Sequence, residues 1–565
     1  MKCCLALLAS LFVFLLADRL PAAVPAQATE TRWNILFVFV DDWGRYASVY
    51  QGLDGRPTLN DFIHTPNIDR VAREGVLFRN AYVQNPTCTP SRSALMSGRH
   101  FFNTGQGAIT DNAVWDPSIP SYPLMLRDAG YTLGKSHKVW SPGTLRDAPF
   151  GGGQYAFERH GSRASRFSKE VTAMVEAGLS VEAARQQILN EVRGNFDDFL
   201  ASTRPGQPWH YFFGPTNTHR FWTKGSGKAI WGLDPDSLKG RMPAFLPDVH
   251  EVREDIADYL GECMAVDAYV GMLLKRLEET GQSENTLIVL SGDHGMPGVP
   301  SGKSNLYDHG VAVALIVRTP GGTPGRIVDD LIVLSDLAPT FMEVGGVTPP
   351  DGLYGRSLMP QLRSARSGII DRTRDHIITG RERHVAIARE GNLPYPMRSL
   401  RTRDHVYIRN FEADRWPGGS PFTLEVLPPT FAELETNHYI AHPDMDAGPT
   451  KAWVVTNRHD PMGKRFYEAA FGKRPVEELY DLKSDPDQVR NLANDPAYAE
   501  TKNRMSAQLI KTLIEAKDPR VTGDRNTFDL PPFVGVGTLA PRALKRAERA
   551  VQAAKREIEL EQLIR

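Results

Sequence analysis

The chain has 565 residues, of which 41% are hydrophobic and 24% are charged, and its formal net charge is −1. A chain of this length and composition can bury a large hydrophobic core and is long enough for two domains. Because the net charge is close to zero, no global field attracts nucleic acid or an anionic membrane, and nucleic-acid binding is excluded as a function.

The first 28 residues have the pattern of an export signal. Lys2 precedes the apolar run CCLALLASLFVFLLA, and Ala26 and Ala28 supply the small residues of a cleavage site. The run is too short to span a bilayer, so we expect a cleaved signal and no stable membrane anchor. The sequence therefore predicts a secreted or periplasmic protein. Its mature part contains two cysteines, Cys88 and Cys263, which are too few for a disulfide framework.

Apolar runs then alternate with amphipathic helical stretches, a pattern typical of a mainly parallel sheet covered by helices. Four short β-prone runs are each followed by polar side chains, which are Asp41 and Asp42, Lys135 and His137, Asn217 and His219, and Asp293 and His294. One such residue alone is more often a turn or a helix cap. Since ligands of open α/β sheets bind beyond the carboxyl ends of the strands, four such endings together predict one functional crevice.

The later part of the chain has a different organisation. The stretch that contains Cys263 has apolar residues at helical spacing, which predicts a buried, unreactive thiol on a helix. After about residue 380, short β-prone segments and a helical stretch from Pro496 to Lys517 predict a smaller α+β domain with an antiparallel sheet. We therefore predict a catalytic domain over 29–380, a second domain over 381–525, and a linker with a charged helical tail over 526–565. The tail is expected to pack on the surface rather than to form a coiled coil.

Cys88 lies in the segment CTPSR, between two prolines and four residues before Arg92. This segment resembles the C-x-P-x-R signature of the type I sulfatases, in which a maturation enzyme oxidises the cysteine to formylglycine during export. The motifs DD, GKSH, THR and SGDHG, followed by Lys303, occur in the order of that family. The resemblance extends from about Asn34 to Asp524. The segments PSGKSNLYDHGVAVALIV, YPMRSLRTRDHVYIRNF and ELYDLKSDPDQVRNLANDP are most similar to the heparan N-sulfatases, or sulfamidases.

The resemblance implies an alkaline-phosphatase-like α/β core with a smaller C-terminal α+β domain, and a role for each motif residue. The implied ligands of one Ca²⁺ ion are Asp41, Asp42, Cys88 as formylglycine, Asp293 and His294. Arg92, Lys135 and Lys303 would neutralise the nucleophile and the sulfate oxygens. His137 would hold the hydrated aldehyde, and His219 would protonate the leaving group.

The chain departs from the sulfamidase pattern at two positions, with His294 in place of asparagine and Asn217 in place of aspartate. Asn217, Arg220, Glu382, Arg383 and His384 are the candidate contacts for a sulfated sugar. The eight arginines between Arg381 and Arg415 are consistent either with a sulfated-sugar subsite or with an ordinary solvated face.

We expect hydrolysis of N- or O-sulfate groups on a sugar or a glycosaminoglycan-like polysaccharide. Two alternatives remain open at this point. One is a phosphonate or phosphate ester hydrolase, since related folds share the nucleophile and the metal site. The other is a sulfated-glycan-binding protein without turnover, which would result if Cys88 is never oxidised.

Overall fold

The computed structural model describes residues 32–144, 149–422 and 424–534. The predicted signal at 1–28 and residues 535–565 of the predicted tail lie outside the described residues. Those from Trp33 onward belong to one compact unit. In the described part of the chain, no helix combines the length and the apolarity that a bilayer crossing requires.

A seven-stranded sheet forms the centre of the unit. Its strands are β1 (Asn34–Val40), β2 (Val76–Tyr82), β3 (Thr132–His137), β4 (Trp209–Gly214), β5 (Thr286–Gly292), β6 (Leu315–Arg318) and β7 (Arg326–Val333). Their order is β3-β4-β1-β5-β6-β2-β7, and β6 alone runs antiparallel to its neighbours in this sheet. The predicted mainly parallel sheet is confirmed.

Helices cover both faces of this sheet or pack elsewhere in the unit. They are α1 (Pro66–Glu74), α2 (Cys88–Ser97), α3 (Tyr122–Asp128), α4 (Phe167–Glu176), α5 (Val181–Ser202), α6 (Ser226–Trp231), α7 (His250–Glu279), α8 (Asp308–Val311), α9 (Leu337–Val344), α10 (Met359–Arg363), α11 (Phe431–Thr436), α12 (Pro449–Thr456), α13 (Pro461–Phe471) and α14 (Ala499–Glu515).

Every residue of β1 is buried, because successive side chains enter two different cores. Leu36 and Val38 pack into the core that contains α7, whereas Phe37 packs into the core on the opposite face, against Phe341 of α9. Cys263 lies on α7, is fully buried and has no disulfide partner, as its sequence context predicted. Burial on both faces explains why β1 is a continuous apolar run.

A second sheet of four strands lies in the C-terminal part of the chain. Its strands are β8 (Ile377–Arg381), β9 (Met397–Arg401), β10 (His405–Asn410) and β11 (Glu477–Asp481), paired antiparallel in the order β11-β10-β9-β8. Helix α14 packs Leu509 and Leu513 against one face of this sheet. The predicted antiparallel sheet is confirmed. The predicted boundary after residue 380 falls inside β8, and the division into two domains stays a prediction.

Buried ion pairs hold the second sheet to the end of the described chain. Arg398 on β9 is fully buried and donates to Asp518 at 2.6 Å and to Glu382 at 2.7 Å. Arg520 donates to the same Glu382 carboxylate at 2.7 Å. Much of the arginine-rich segment from Arg381 to Arg415 is therefore buried and forms internal contacts rather than a solvated face.

We expect Arg398→Ala to lower the free energy of unfolding by about 3–5 kcal/mol, because it leaves Asp518 buried without its cationic partner. The matched control is Arg409→Ala on the neighbouring strand. The Arg409 side chain is 37% exposed and its nearest carboxylate oxygen, on Glu477, lies 3.8 Å away, so its loss should cost about 1 kcal/mol or less. Urea denaturation of the two variants measures both values. Equal, small losses would contradict a bracing role for Arg398.

Candidate active site

The candidate site forms where β1 and β5 end side by side. Asp41 and Asp42 directly follow β1, and Asp293 and His294 directly follow β5. The two strands are parallel neighbours in register, with Val40 opposite Gly292. The two pairs of polar residues consequently meet at the carboxyl edge of the sheet, where ligands of such sheets bind.

Cys88 is the first residue of α2, and all ten residues of this helix are buried. Arg92 follows four residues later and so lies on the same helix face as Cys88. Pro90 is tolerated between them because the first turn of a helix needs no N–H donor. The Cys88 Sγ lies 3.4 Å from His294 Nε2 and 4.0 Å from Asp42 Oδ1. The helix thus presents the cysteine to the carboxylates at its positive N-terminal end.

Three buried carboxylates face three cationic side chains around Cys88. Asp41 lies 2.6 Å from Lys138 and 3.1 Å from Arg92. Arg92 also donates to Asp293 at 2.8 Å. Lys303 donates to Asp42 at 2.9 Å. The six side chains form one ion network in which the formal charges balance.

The network shifts the pKa of its members in different directions. Burial raises the pKa of Asp293 to about 6, against the effect of Arg92. Burial also acts to raise the pKa of Asp41, but Lys138 and Arg92 hold it well below its usual range. Burial lowers the pKa of His294 to about 4, so its ring is uncharged at neutral pH.

The donor atoms around Cys88 fit a bound divalent cation. Two groups of ligand atoms lie within 4.8 Å of one another: Asp41, Asp42, Cys88 and His219, and Cys88, Asp293 and His294. The Asp42 N–H donates to Asp293 at 2.8 Å, and His294 Nε2 lies 3.1 Å from Asp42 Oδ1. Carboxylate oxygens suit a hard cation such as Ca²⁺, whereas imidazole is a less usual ligand for it.

The two lysines near the end of β3 have different surroundings. Lys135, singled out from the sequence, donates to Glu158 at 2.9 Å and to the carbonyl of His137 at 3.1 Å. Lys138, which sequence reasoning missed, reaches Asp41 instead. In the sequence, Lys138 is marked only by being a basic residue directly after His137. In the geometry described here, Lys138 rather than Lys135 contacts the carboxylates.

The two histidines expected to assist the reaction have different surroundings. His137 has a positive φ of 67°, and its Nδ1 lies 3.1 Å from Ser165 Oγ. Its Nε2 is buried and has no hydrogen-bond partner among the described residues. His219 Nε2 lies 3.9 Å from Asp42, and its side chain is 34% exposed. His219 is therefore the more accessible of the two to a substrate that enters from solvent.

Asn217 and Arg220, two candidate substrate contacts, are bound to the framework. The Asn217 amide donates to the Glu262 carboxylate at 2.9 Å. Arg220 makes a two-pronged ion pair with Asp255, at 2.5 and 2.7 Å. Glu262 and Asp255 both lie on α7. These contacts tie the loop that carries His219 to that helix.

The three candidate sugar contacts at the end of β8 are buried as well. Glu382 pairs with Arg398 and Arg520, and Arg383 donates to the carbonyl of Asp111 at 2.6 Å. His384 Nδ1 lies 3.2 Å from the carbonyl of Asp444. Two residues that the sequence did not single out, Asp446 and His438, belong to the same wall of the site, and Asp446 lies 3.4 Å from Lys303.

The mainly parallel sheet, with buried carboxylates and cations at its carboxyl edge, has an alkaline-phosphatase-like α/β fold. The profile of the sulfatase family matches residues 33–347. The chain therefore belongs to the sulfatase family and is a hydrolase of sulfuric esters or sulfamates.

Similar proteins agree with this assignment. Human N-sulphoglucosamine sulphohydrolase is 26% identical over 526 residues, which cover 86% of this chain and 91% of the relative. An ulvan-active sulfatase of Formosa agariphila is 25% identical and covers 84% of this chain and 74% of its own length. The expected likeness to the heparan N-sulfatases is confirmed.

Solved structures show the same fold. The structure of BT4656 in complex with its substrate D-glucosamine-2-N,6-O-disulfate matches this chain with a TM-score of 0.57 and 17% sequence identity. The match covers 86% of this chain and 98% of the BT4656 chain. The phosphonate monoester hydrolase of Agrobacterium radiobacter also matches with a TM-score of 0.57 and 17% sequence identity. The match covers 86% of this chain and 96% of the hydrolase chain.

Proposed function

We propose that this protein is an exported sulfatase that removes N- or O-sulfate from a sulfated sugar or glycosaminoglycan-like chain, with formylglycine formed from Cys88 as its nucleophile. The single observation that carries the proposal is the position of Cys88. It lies at the buried N-terminus of α2, one helical turn before Arg92 and against His294 and Asp42. The names of the relatives, an N-sulphoglucosamine sulphohydrolase and ulvan-active sulfatases, support a sulfated sugar as substrate.

The unmodified thiol is a poor candidate for the nucleophile because it lies in a fully buried place among carboxylates. Formylglycine would supply a hydrated aldehyde whose hydroxyl is more acidic than that of an ordinary alcohol and can attack sulfur. A maturation enzyme would read the unfolded CTPSR segment during export of the chain through the predicted signal at 1–28.

Arg92, Lys138 and Lys303 would stabilise the negative charge that develops on the nucleophile and on the sulfate oxygens. All three already have carboxylate partners, so the site has no spare positive charge for an incoming sulfate monoester. Ca²⁺ held by Asp41, Asp42, Asp293 and His294 would supply that charge and polarise a sulfate oxygen. The cationic side chains and the ion would thus both stabilise negative charge in the site.

His219 would be the proton donor for the leaving group. Its Nδ1 lies 2.6 Å from the carbonyl of Arg220, which fixes the ring orientation. Its Nε2 lies on the side of Asp42, at the open edge of the site. A sugar alkoxide or an amine needs a proton as its bond to sulfur breaks, and a histidine at this edge can deliver it. His137, at the end of β3, would hold the nucleophile.

We expect Cys88 to be formylglycine in protein made by a host with the maturation enzyme. The tryptic peptide that contains residue 88 should then be lighter by the difference between CH₂–SH and CHO. This protein should hydrolyse 4-nitrophenyl sulfate and N-sulfoglucosamine, or another sulfated sugar, with a higher kcat/KM than phenyl phosphonate. Cys88→Ala, a variant that cannot be oxidised to the aldehyde, is the matched inactive control.

Faster turnover of the phosphonate would identify a phosphonate hydrolase instead. An intact thiol in fully active protein would contradict the formylglycine nucleophile. Protein that carries formylglycine, binds sulfated glycans and hydrolyses none of them would indicate a binding protein.

Removal of the cation should abolish turnover and lower the melting temperature. A chelator removes a ligand that binds the folded protein, and it leaves the sulfate without a counter-charge. Ca²⁺ at 100 times its Kd should restore both activity and about 2.7 kcal/mol of stability. Asp42→Asn should lose this Ca²⁺-dependent stabilisation, whereas Asp404→Asn, on an exposed turn, should keep it. A melting temperature that does not respond to Ca²⁺ in the unsubstituted protein would contradict a calcium site.

His219→Ala should lower kcat/KM for a sugar N- or O-sulfate by roughly 10²- to 10⁴-fold, the range that general acid catalysis supplies. The loss for 4-nitrophenyl sulfate should be much smaller, because a phenolate leaves without a proton. Lys303→Met removes charge that every sulfate needs and should impair both substrates alike. Steady-state kinetics of the two variants on both substrates measures the difference. Equal losses for His219→Ala would mean that the acid is another group.

A further inference from the structure

The segment from His438 to Asp446 forms a wall of the site and is held in place by one buried lysine. Lys451, on α12, donates from its Nζ to the carbonyls of Met445 at 2.8 Å, His442 at 3.1 Å and His438 at 3.2 Å. One ammonium group thus uses all three of its donors on the main chain of this segment.

Further contacts fix the segment next to Asp446. The Asp444 carboxylate accepts from Arg389 at 2.5 Å, and its carbonyl accepts from Ser304 Oγ at 3.0 Å. On the other side, Thr450 donates to Asp255, the partner of Arg220. The backbone at residue 446 is therefore anchored to both the catalytic sheet region and α7.

Asp446 itself faces the groups proposed to handle the substrate. Its Oδ2 lies 3.4 Å from Lys303 Nζ, while Lys303 donates to Asp42. Although burial opposes ionisation, Lys303 and the rings of His219, His384 and His438 hold the pKa of Asp446 below its usual range. The ion pair with Lys303 favours the ionised form of this carboxylate.

The Asp446 Oδ2 atom is buried and accepts no hydrogen bond from any described residue. A buried ionised oxygen without a donor is costly, and such atoms in native proteins call for an explanation. Lys303 is an ion-pair partner of this oxygen at 3.4 Å, but its hydrogen bond goes to Asp42. The oxygen thus has a charged partner but no hydrogen-bond donor among the described residues, and it can accept a hydrogen bond from a donor that arrives with the substrate.

We propose that Asp446 determines specificity by accepting a hydrogen bond from the sugar hydroxyl or amine nearest to the sulfated position. The inference rests on the proposed function, since it places the sulfate between Arg92 and Lys303 and the sugar on the side of His219. A carboxylate at this position favours a substrate with a neighbouring donor. It disfavours one with a second sulfate there, because two anions would meet in a buried pocket.

The test compares matched substrates on the mature protein. The probes are N-sulfoglucosamine, its 3-deoxy analogue and its 3-O-sulfated form, with 4-nitrophenyl sulfate as a substrate that has no sugar hydroxyl. If the unsubstituted protein prefers another sulfated monosaccharide, that sugar and its corresponding deoxy and doubly sulfated analogues replace the first three. The variants are Asp446→Ala and Asp446→Asn, and Asp404→Asn is the control for loss of one carboxylate.

We expect the unsubstituted protein to prefer the parent sugar over the deoxy analogue by about 10- to 100-fold in kcat/KM, because a site built to bind a hydroxyl rejects an analogue that lacks it. In Asp446→Ala this preference should fall to about threefold or less, and the doubly sulfated sugar should become a better substrate relative to the parent. Asp446→Asn should keep part of the hydroxyl preference, since its amide oxygen still accepts. Asp404→Asn should keep all of it.

An unchanged deoxy preference in both Asp446 variants, with equal losses on 4-nitrophenyl sulfate and on the sugar, would overturn the proposal and leave Asp446 as a partner of Lys303 alone. Thermal melting of each variant separates this outcome from misfolding, and a folded Asp446→Asn suffices for the comparison. Failure of the unsubstituted protein to hydrolyse any sulfate would instead overturn the proposed function.

Discussion

The Arg92 guanidinium is the contact on which the rest of the site depends. It is fully buried, donates to Asp293 at 2.8 Å, to Asp41 at 3.1 Å and to the carbonyl of Val139 at 2.9 Å, and stacks over Phe39. These contacts join α2, the ends of β1 and β5, and the chain beyond β3. Removing one partner from such a buried group leaves uncompensated charge, so helix, strands and carboxylates keep a single arrangement.

A buried set of balanced charges has a chemical consequence. Because each carboxylate already has a cationic partner, the site is organised before any ligand arrives, and few dipoles need to reorient when charge develops at sulfur. The same balance explains why a further cation is required in the proposed reaction. Cys88 lies where the N-terminus of α2, His294 and Asp42 meet. The same contacts therefore hold the proposed nucleophile and the charged groups in fixed positions.

The C-terminal part of the chain brings a side chain to the site. Arg398, Arg389 and Arg381 pair with buried carboxylates and hold the second sheet and the 438–446 segment in place. That segment brings Asp446 to Lys303. In the proposed reaction the catalytic sheet would supply the groups that every sulfate needs, and Asp446 in the C-terminal part would contact the sugar.

The sequence by itself determined the elements whose signals are local. The polar residues after β1 and β5 and the four-residue spacing of Cys88 and Arg92 are geometric consequences of parallel strands and of a helix, and they predicted the core of the site. Only the tertiary structure decided which lysine reaches Asp41, because side-chain direction near a strand end depends on packing rather than on the motif. It likewise decided that Glu382 and Arg383 are used as internal partners, since a sequence does not show which charges pair. Asp446 has no local pattern at all, and contacts between residues distant in sequence, such as those of Arg389 and Ser304 with Asp444, hold its segment beside Lys303.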